Sequence, residues 1–289
     1  MRIEALRLWF LMTPADIKKT LKNLYGKFAQ TDLALESGLN CSGQYPFGLG
    51  FYEQPDLSLV PQNALRLTCG CGNPIGFANI QTSSSVVDLG CGGGVDVILA
   101  AHKVKEQGRV LGIDLAPEMV EQTKQALAEA GLQHRHIFLR VADIEEISSL
   151  PKTFADFLIS NCVINLCPDK VTVYRNIFRI LRPGGILAVS DIVWTEEIDT
   201  NLRKRFQSSG AGCLGGAVSE ENLRLILKKS TFIDIQVLGH YYLSMEELET
   251  IACYPGKAFV LPPSQEDLLL LKGRVAGITI IARRPPINC

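Results

Sequence analysis

Between residues 81 and about 195 the chain alternates short apolar runs with longer stretches whose apolar residues recur at helical spacing. The runs at 86–90, 109–114, 137–143, 155–161 and 186–193 predict five strands. The stretches near 94–107, 117–130 and 169–181 predict helices, the first carrying Val97, Ile98, Ala101 and Val104 at helical spacing. Pro117 stands at a helix start, and Arg182-Pro183-Gly184-Gly185 reads as a sharp stop. Strand–helix units repeated in this way predict an α/β domain, a mostly parallel, doubly wound sheet with helices on both faces.

The flanks read differently. Residues 16–28 form an amphipathic helix with Ile17, Leu21, Leu24 and Phe28 on one side and Pro14 near its start. A turn-rich stretch follows, with Cys41, Gly43, Pro46, Gly48 and Gly50; its length and aromatic content suit a lid better than a linker. Beyond 195, a helix over 219–230 opens with Ser219-x-x-Asn222. Runs at 232–238 and 276–284 supply the last strands, one of them antiparallel. Residues 255–271 add a loop and helix with no readable role. The chain thus divides into an N-terminal helix and substrate-side loop (1–80), a cofactor-binding core (81–195) and a C-terminal region that completes the sheet and the pocket (196–289).

At 289 residues the chain can bury a full core, and a net charge of −1 implies neither nucleic acid nor a membrane surface as partner. No apolar run reaches the roughly 18 residues that span a bilayer. Residues 1–12 are apolar but broken by Arg2, Glu4 and Arg7, without a cleavage site, and Met12 offers a second start. A cytoplasmic protein is expected, its nine cysteines reduced. Cys69 and Cys71 form C-x-C with no C-x-x-C partner at zinc spacing, and four scattered histidines add no cluster, so no tightly bound metal is expected.

The first strand and turn carry the clearest chemistry. Val86-Val87-Asp88-Leu89-Gly90 runs into Cys91-Gly92-Gly93-Gly94, a G-x-G-x-G loop. The dinucleotide fingerprint needs glycine at Val95 or Val97, and the phosphate-binding G-x-x-x-x-G-K-[ST] is absent. The glycines instead allow close approach of backbone to a ligand. Asp114 ends the second strand, where an acid accepts both ribose hydroxyls of an adenosine; no arginine stands there for a 2′-phosphate.

Further segments narrow the reading: Cys71-Gly72-Asn73-Pro74, Ser160-Asn161-Cys162-Val163-Ile164-Asn165-Leu166, Ser190-Asp191-Ile192-Val193 and Gly212-Cys213-Leu214-Gly215-Gly216-Ala217. With the glycine loop, they make the chain resemble the arsenite S-adenosylmethionine methyltransferases of the shorter microbial type, over roughly residues 65–240. The resemblance implies a Rossmann-like class I methyltransferase fold with a late antiparallel strand and additions at both ends. It implies S-adenosylmethionine as cofactor, held by Asp88, Gly90, Gly92, Gly94, Asp114 at the ribose, Asp143 near the adenine amine, and Asn161. Cys162 and Cys213 would bind trivalent arsenic with Cys71 as third thiol, Cys69 being the alternative to Cys71. Cys41 stands where relatives carry one cysteine or a pair in an N-terminal loop; here its neighbour is Ser42, and the tail holds only Cys289. The catalytic set is then Cys41, Cys71, Cys162 and Cys213. The partners would be a trivalent arsenical and an external thiol reductant of thioredoxin or glutathione type, the protein acting as a monomer without nucleic acid or membrane.

Elementary chemistry points the same way. Thiolates prefer soft centres, and trivalent arsenic has a lone pair that needs no general base, only positioning and removal from water. Cys91 and Cys167 read as small buried fillers. The rival functions are methylation of a quinone, sterol or lipid carbon, for which the cysteines are irrelevant, and metalloid binding without turnover, for which the cofactor loop is irrelevant.

Overall fold

The computed structural model describes residues 13–30, 47–209, 212–252 and 263–287. Five strands run parallel: β1 (Ser85–Leu89), β2 (Arg109–Asp114), β3 (Ile137–Val141), β4 (Ala155–Asn161) and β5 (Leu181–Trp194). A two-residue strand, β6 (Val218–Ser219), adds to β5. β7 (Ile233–Tyr242) and β8 (Val275–Arg283) complete the sheet in the order β3-β2-β1-β4-β5-β8-β7, with β8 antiparallel to both neighbours. The strand order reverses between β1 and β4, and in open α/β sheets ligands bind outside the carboxyl ends at that reversal.

The central strand shows why the core forms as it does. All five residues of β1 are buried, as a strand covered on both faces requires. Alternation sends Val87 and Leu89 to one face and Val86 to the other. On the first face they meet helix α4 (Lys170–Ile180), through Val173, Tyr174 and Ile177. On the second, Val86 packs among Val97, Ile98 and Ala101 of α2 (Val95–Val104) and Ala126 and Leu127 of α3 (Pro117–Glu129). Beyond β5 come α5 (Thr200–Ser209), α6 (Glu220–Lys229) and α7 (Met245–Ala252). Ser219 caps α6 by accepting the Asn222 N–H at 3.3 Å, the role its spacing predicts. The N-terminal helix α1 (Pro14–Gln30) packs Phe28 and Ala29 against Ala116 and Met119, and so lies along the mouth of the crevice.

β7 runs on to Tyr242 and α2 stops at Val104, against expected ends at 238 and 107, and two further elements depart with a local cause. β5 begins at Leu181, directly after α4, and not at 186. The Arg-Pro-Gly-Gly segment is an irregularity within the strand: Leu181 pairs with Ala155, the register shifts, and Ile186 pairs with Phe157. Gly184 takes φ of +80° there, and the Arg284 backbone bonds Gly184 and Gly185 at 3.0 and 2.9 Å. β3 stops at Val141, because Asp143 turns out of the strand and caps the Glu145 N–H at 2.8 Å.

Candidate active site

The carboxyl ends of β1, β2 and β4 open into a cleft with about 1020 Å³ of space, counting the part open to solvent. The glycine loop forms its floor. Gly90, Gly92 and Gly94 all have positive φ (+78°, +51°, +96°), and the N–H groups of Gly90 and Cys91 are tied to the Ile113 carbonyl at 2.7 and 2.9 Å. Asp114 locks the loop to β2: its Oδ2 accepts the Gly92 N–H at 3.0 Å and its Oδ1 the Ala116 N–H at 2.9 Å. Burial holds its carboxyl above the usual range, against those N–H bonds.

Asp88 is 2% exposed and its Oδ2 has no hydrogen-bond partner among the described residues. Burial, then the charges of Asp96 and Asp114, push its carboxyl well upward. Asp96 lies in the first turn of α2 and carries no role in the sequence reading. It also opens on the cleft, accepting the Tyr52 hydroxyl at 2.7 Å. Burial raises it to about 6 in spite of bonds from Tyr52 and Asn161. An unpartnered buried carboxylate, two acids beside it and a glycine cradle are the donor set for a ligand carrying both cationic groups and hydroxyls, and S-adenosylmethionine fits it. Asp143 lines the cleft too. It already holds Lys18 of α1 at 2.6 Å, and Lys18 also reaches Glu145 at 2.7 Å. These two contacts outweigh burial and raise the Lys18 pKa.

Past Asn161 the cleft becomes a thiol pocket. Asn161 ends β4 and turns its amide across the boundary. Its Nδ2 donates to the Gly72 carbonyl at 2.8 Å and the Tyr52 hydroxyl at 3.0 Å, and its Oδ1 accepts the Cys71 N–H at 2.9 Å. That amide pins Cys71, and the flanking glycines permit it: a Cβ on Gly70 would lie 2.5 Å from Asn161 Nδ2. Cys162 follows in the left-handed region, φ +60°, with its N–H on the Ser190 carbonyl at 2.8 Å. Cys213 arrives on a one-turn helix, Gly212–Gly216, and its thiol donates to the Cys162 carbonyl at 3.0 Å. Gly216 fits there because its Cα lies against the Asn165 carbonyl.

The sulfurs of Cys71 and Cys162 and a carboxylate oxygen of Asp191 lie within 4.8 Å of one another, all buried. The Cys162 thiol also interacts with that of Cys213, which pulls its pKa down, but Cys71 and burial push it well up. Burial sets Cys71 at about 11, and Cys162 and then burial raise Cys213 strongly. The thiols are therefore protonated at neutral pH. Burial, partly offset by backbone N–H groups, puts Asp191 at about 7.

The structure thus brings Cys71, Cys162 and Cys213 together; Cys69 lines the same cleft as Cys162 but stands outside the Cys71–Cys162–Asp191 cluster, its thiol 3.5 Å from the Leu67 carbonyl. Cys91 is buried beside Thr123. Cys167 lines the cleft with its thiol toward the Val163 carbonyl at 3.8 Å. Cys41 falls outside the described residues. Asp96, Tyr52, Asp191 and Lys18 were missed; only Asp191 lay in a segment already singled out.

Residues 80–231 match the model of a methyltransferase domain. The arsenite methyltransferase of Halobacterium salinarum is 33% identical over 64% of this chain and 46% of its own length, and that of Rattus norvegicus 30% over 75% and 59%. The chain spans 46 to 66% of the length of such curated relatives. Among solved structures, an arsenic(III) S-adenosylmethionine methyltransferase from Chlamydomonas reinhardtii superposes with a TM-score of 0.65 at 27% identity, covering 81% of this chain and 73% of that one. No helix among the described residues is long and apolar enough to cross a membrane.

Proposed function

Because the chain belongs to the methyltransferase-domain family, we propose that it transfers a methyl group from S-adenosylmethionine to trivalent arsenic held by Cys71, Cys162 and Cys213. The observation that carries the reading is the convergence of three buried thiols, from three distant segments, at the edge of a cleft whose floor is a glycine loop closed by Asp114. When bound, the cofactor supplies an electrophilic methyl group on a cationic sulfonium.

Asp114 would take the ribose hydroxyls on its remaining lone pairs, Asp143 the adenine amine, and Asp88 a cationic group of the cofactor. The pocket thiols begin protonated. Each displaces one hydroxyl of arsenite: an As–S bond forms, an As–O bond breaks, and the hydroxide leaves as water with the thiol proton. Held by sulfur among apolar side chains such as Ile192, Trp194 and Leu214, the arsenic is dry and presents its lone pair toward the cleft. Methylation of that lone pair oxidises arsenic by two electrons. Two pocket thiolates would return them by closing as a disulfide, which an external thiol reductant reopens.

The decisive experiment incubates the protein with labelled S-adenosylmethionine, thiol reductant and arsenite, and resolves the arsenic species. Methylated arsenic is expected. Cys71→Ser should lose activity on arsenite, which has three exchangeable hydroxyls, yet keep much of it on monomethylarsenite, which has two. A cofactor-binding protein that yields no methylated arsenic would overturn the reading.

A further inference from the structure

The thiol pocket contains one group that trivalent arsenic does not need. Asp191, on β5, is 3% exposed, with a carboxylate oxygen within 4.8 Å of both the Cys71 and Cys162 sulfurs. Its oxygens each accept one backbone N–H, from Ile192 at 3.0 Å and Asn165 at 3.1 Å. A carboxylate has about four lone-pair sites, so acceptor capacity remains on the thiol side. Arsenic(III) is satisfied by three thiolates, and a soft centre gains little from a hard oxygen.

Sulfur and carboxylate together suit a different ion. Zinc is borderline in softness and takes cysteine sulfur and aspartate oxygen in tetrahedral sites. Donor atoms on arms of about 2.3 Å stand roughly 3.8 Å apart around such an ion, within the spread found here. Three protein donors leave a fourth position for a water, the pattern of open zinc sites; Cys213 stands outside the trio, its thiol on the Cys162 carbonyl at 3.0 Å. Cys162 also lines the open cleft, which gives an ion a way in.

We propose that this pocket is also a Zn²⁺ site, with Cys71, Cys162 and Asp191 as ligands and a water in the fourth position. Binding exchanges the thiol protons for the metal. The inference goes beyond arsenic methylation and does not depend on it. A zinc ion would occupy two of the three thiols that arsenite would use, so the two exclude each other. The expectation of no bound metal rested on C-x-x-C spacing, whereas these ligands come from the segment before β1, the end of β4 and the middle of β5.

The reduced full chain, stripped with a chelator, is titrated with zinc sulfate by calorimetry in competition with a chromophoric chelator. One ion per chain should bind, and arsenite should displace it one for one. Asp191→Asn should weaken zinc binding by roughly tenfold or more. Cys167→Ser, which alters a thiol outside the cluster, should leave it unchanged. Calorimetric binding of S-adenosylmethionine shows that each variant is folded. Cobalt(II) gives a second readout in the wild-type chain: strong visible bands of a four-coordinate thiolate site, weakened in Cys71→Ser. If Asp191→Asn fails to fold, the cobalt comparison decides. Zinc affinity indifferent to Asp191→Asn, or cobalt bands of an octahedral oxygen site, overturn the proposal. Loss of zinc binding with arsenic methylation intact would sink this inference alone; zinc binding without arsenic turnover would sink only the reading above.

Discussion

In the cofactor half of the cleft the backbone is the main instrument; in the thiol half it is the side chain. The Gly90–Gly94 loop, the Ile113 carbonyl and the Asp114 cap lie within one strand–turn–helix–strand unit and hold one another by short bonds. The thiols come from three segments that share no local geometry, brought to register by one amide, that of Asn161, and by the turn at Cys162. A half built locally tolerates changes in the other half. A half assembled from afar depends on its few ties.

The sharpest test of that contrast is Cys162→Ser or Cys213→Ser. Each should abolish methylation of every arsenical, a loss of roughly a hundredfold or more, because a hard hydroxyl is a poor ligand for a soft centre. Cofactor affinity, measured by calorimetry, should stay nearly intact. Serine variants that turn over at wild-type rate would dissolve the distinction between the halves.

The reverse change comes next. Asp114→Ala should weaken S-adenosylmethionine by about 1.5–3 kcal/mol, the scale for hydrogen bonds to a charged group, while arsenite capture by the thiols persists. Unchanged cofactor affinity would place the ribose site elsewhere.

Asn161→Leu should injure both halves at once. It leaves the Cys71 N–H and the Gly72 carbonyl without their partner, at about 1–3 kcal/mol for each stranded group. Chemical denaturation should show the loss, and cofactor and arsenite affinities should both fall. If only one falls, the amide is not the tie between the halves.

The smallest effect is that of pH. Burial pushes Asp96 up to about 6, and burial followed by its acidic neighbours pushes Asp88 well up, so acid neutralises the cleft. A cationic ligand prefers the ionised acids, so affinity should drop severalfold from pH 7.5 to 5.5, measured by calorimetry. The unliganded chain should do the opposite. Its acids return to ordinary values near 4 on unfolding, so its stability should decline as pH rises from about 4 through 6. Thermal melts across that range check the sign.

The fold was legible where side-chain pattern and burial agree. β2 and β4 match their predicted runs end to end, because each is an apolar run bounded by turn residues and buried in the sheet interior. The start of β5 was not legible, since Arg-Pro-Gly-Gly is a turn by every local rule and joins the sheet only through Ala155 and the Arg284 backbone. In the site, the turn made by the glycine loop and the place of Asp114 at the end of β2 were legible from residue pattern. The cysteines stand out by residue type, but only the fold shows that Cys71 is the one the Asn161 amide holds beside Cys162. Asp96 and Lys18 carry no mark of a site in the sequence, and Asp191 stands in a segment singled out as a whole, with no role of its own. An acid gives no sign in sequence that the fold will bury it against thiols, nor a lysine that it will lie over a carboxylate pair.

Cys162 sits at φ +60°, a conformation that costs an ordinary L-residue about 1–2 kcal/mol and glycine almost nothing. On the proposed reading, the chain therefore carries an arsenic-binding sulfur on a residue its own backbone resists. A library at position 162 sorted for folding alone should enrich glycine and asparagine, and one sorted for arsenic resistance should return cysteine. The gap between those two winners measures how far selection for chemistry has pulled this turn from the shape the polymer would choose for itself.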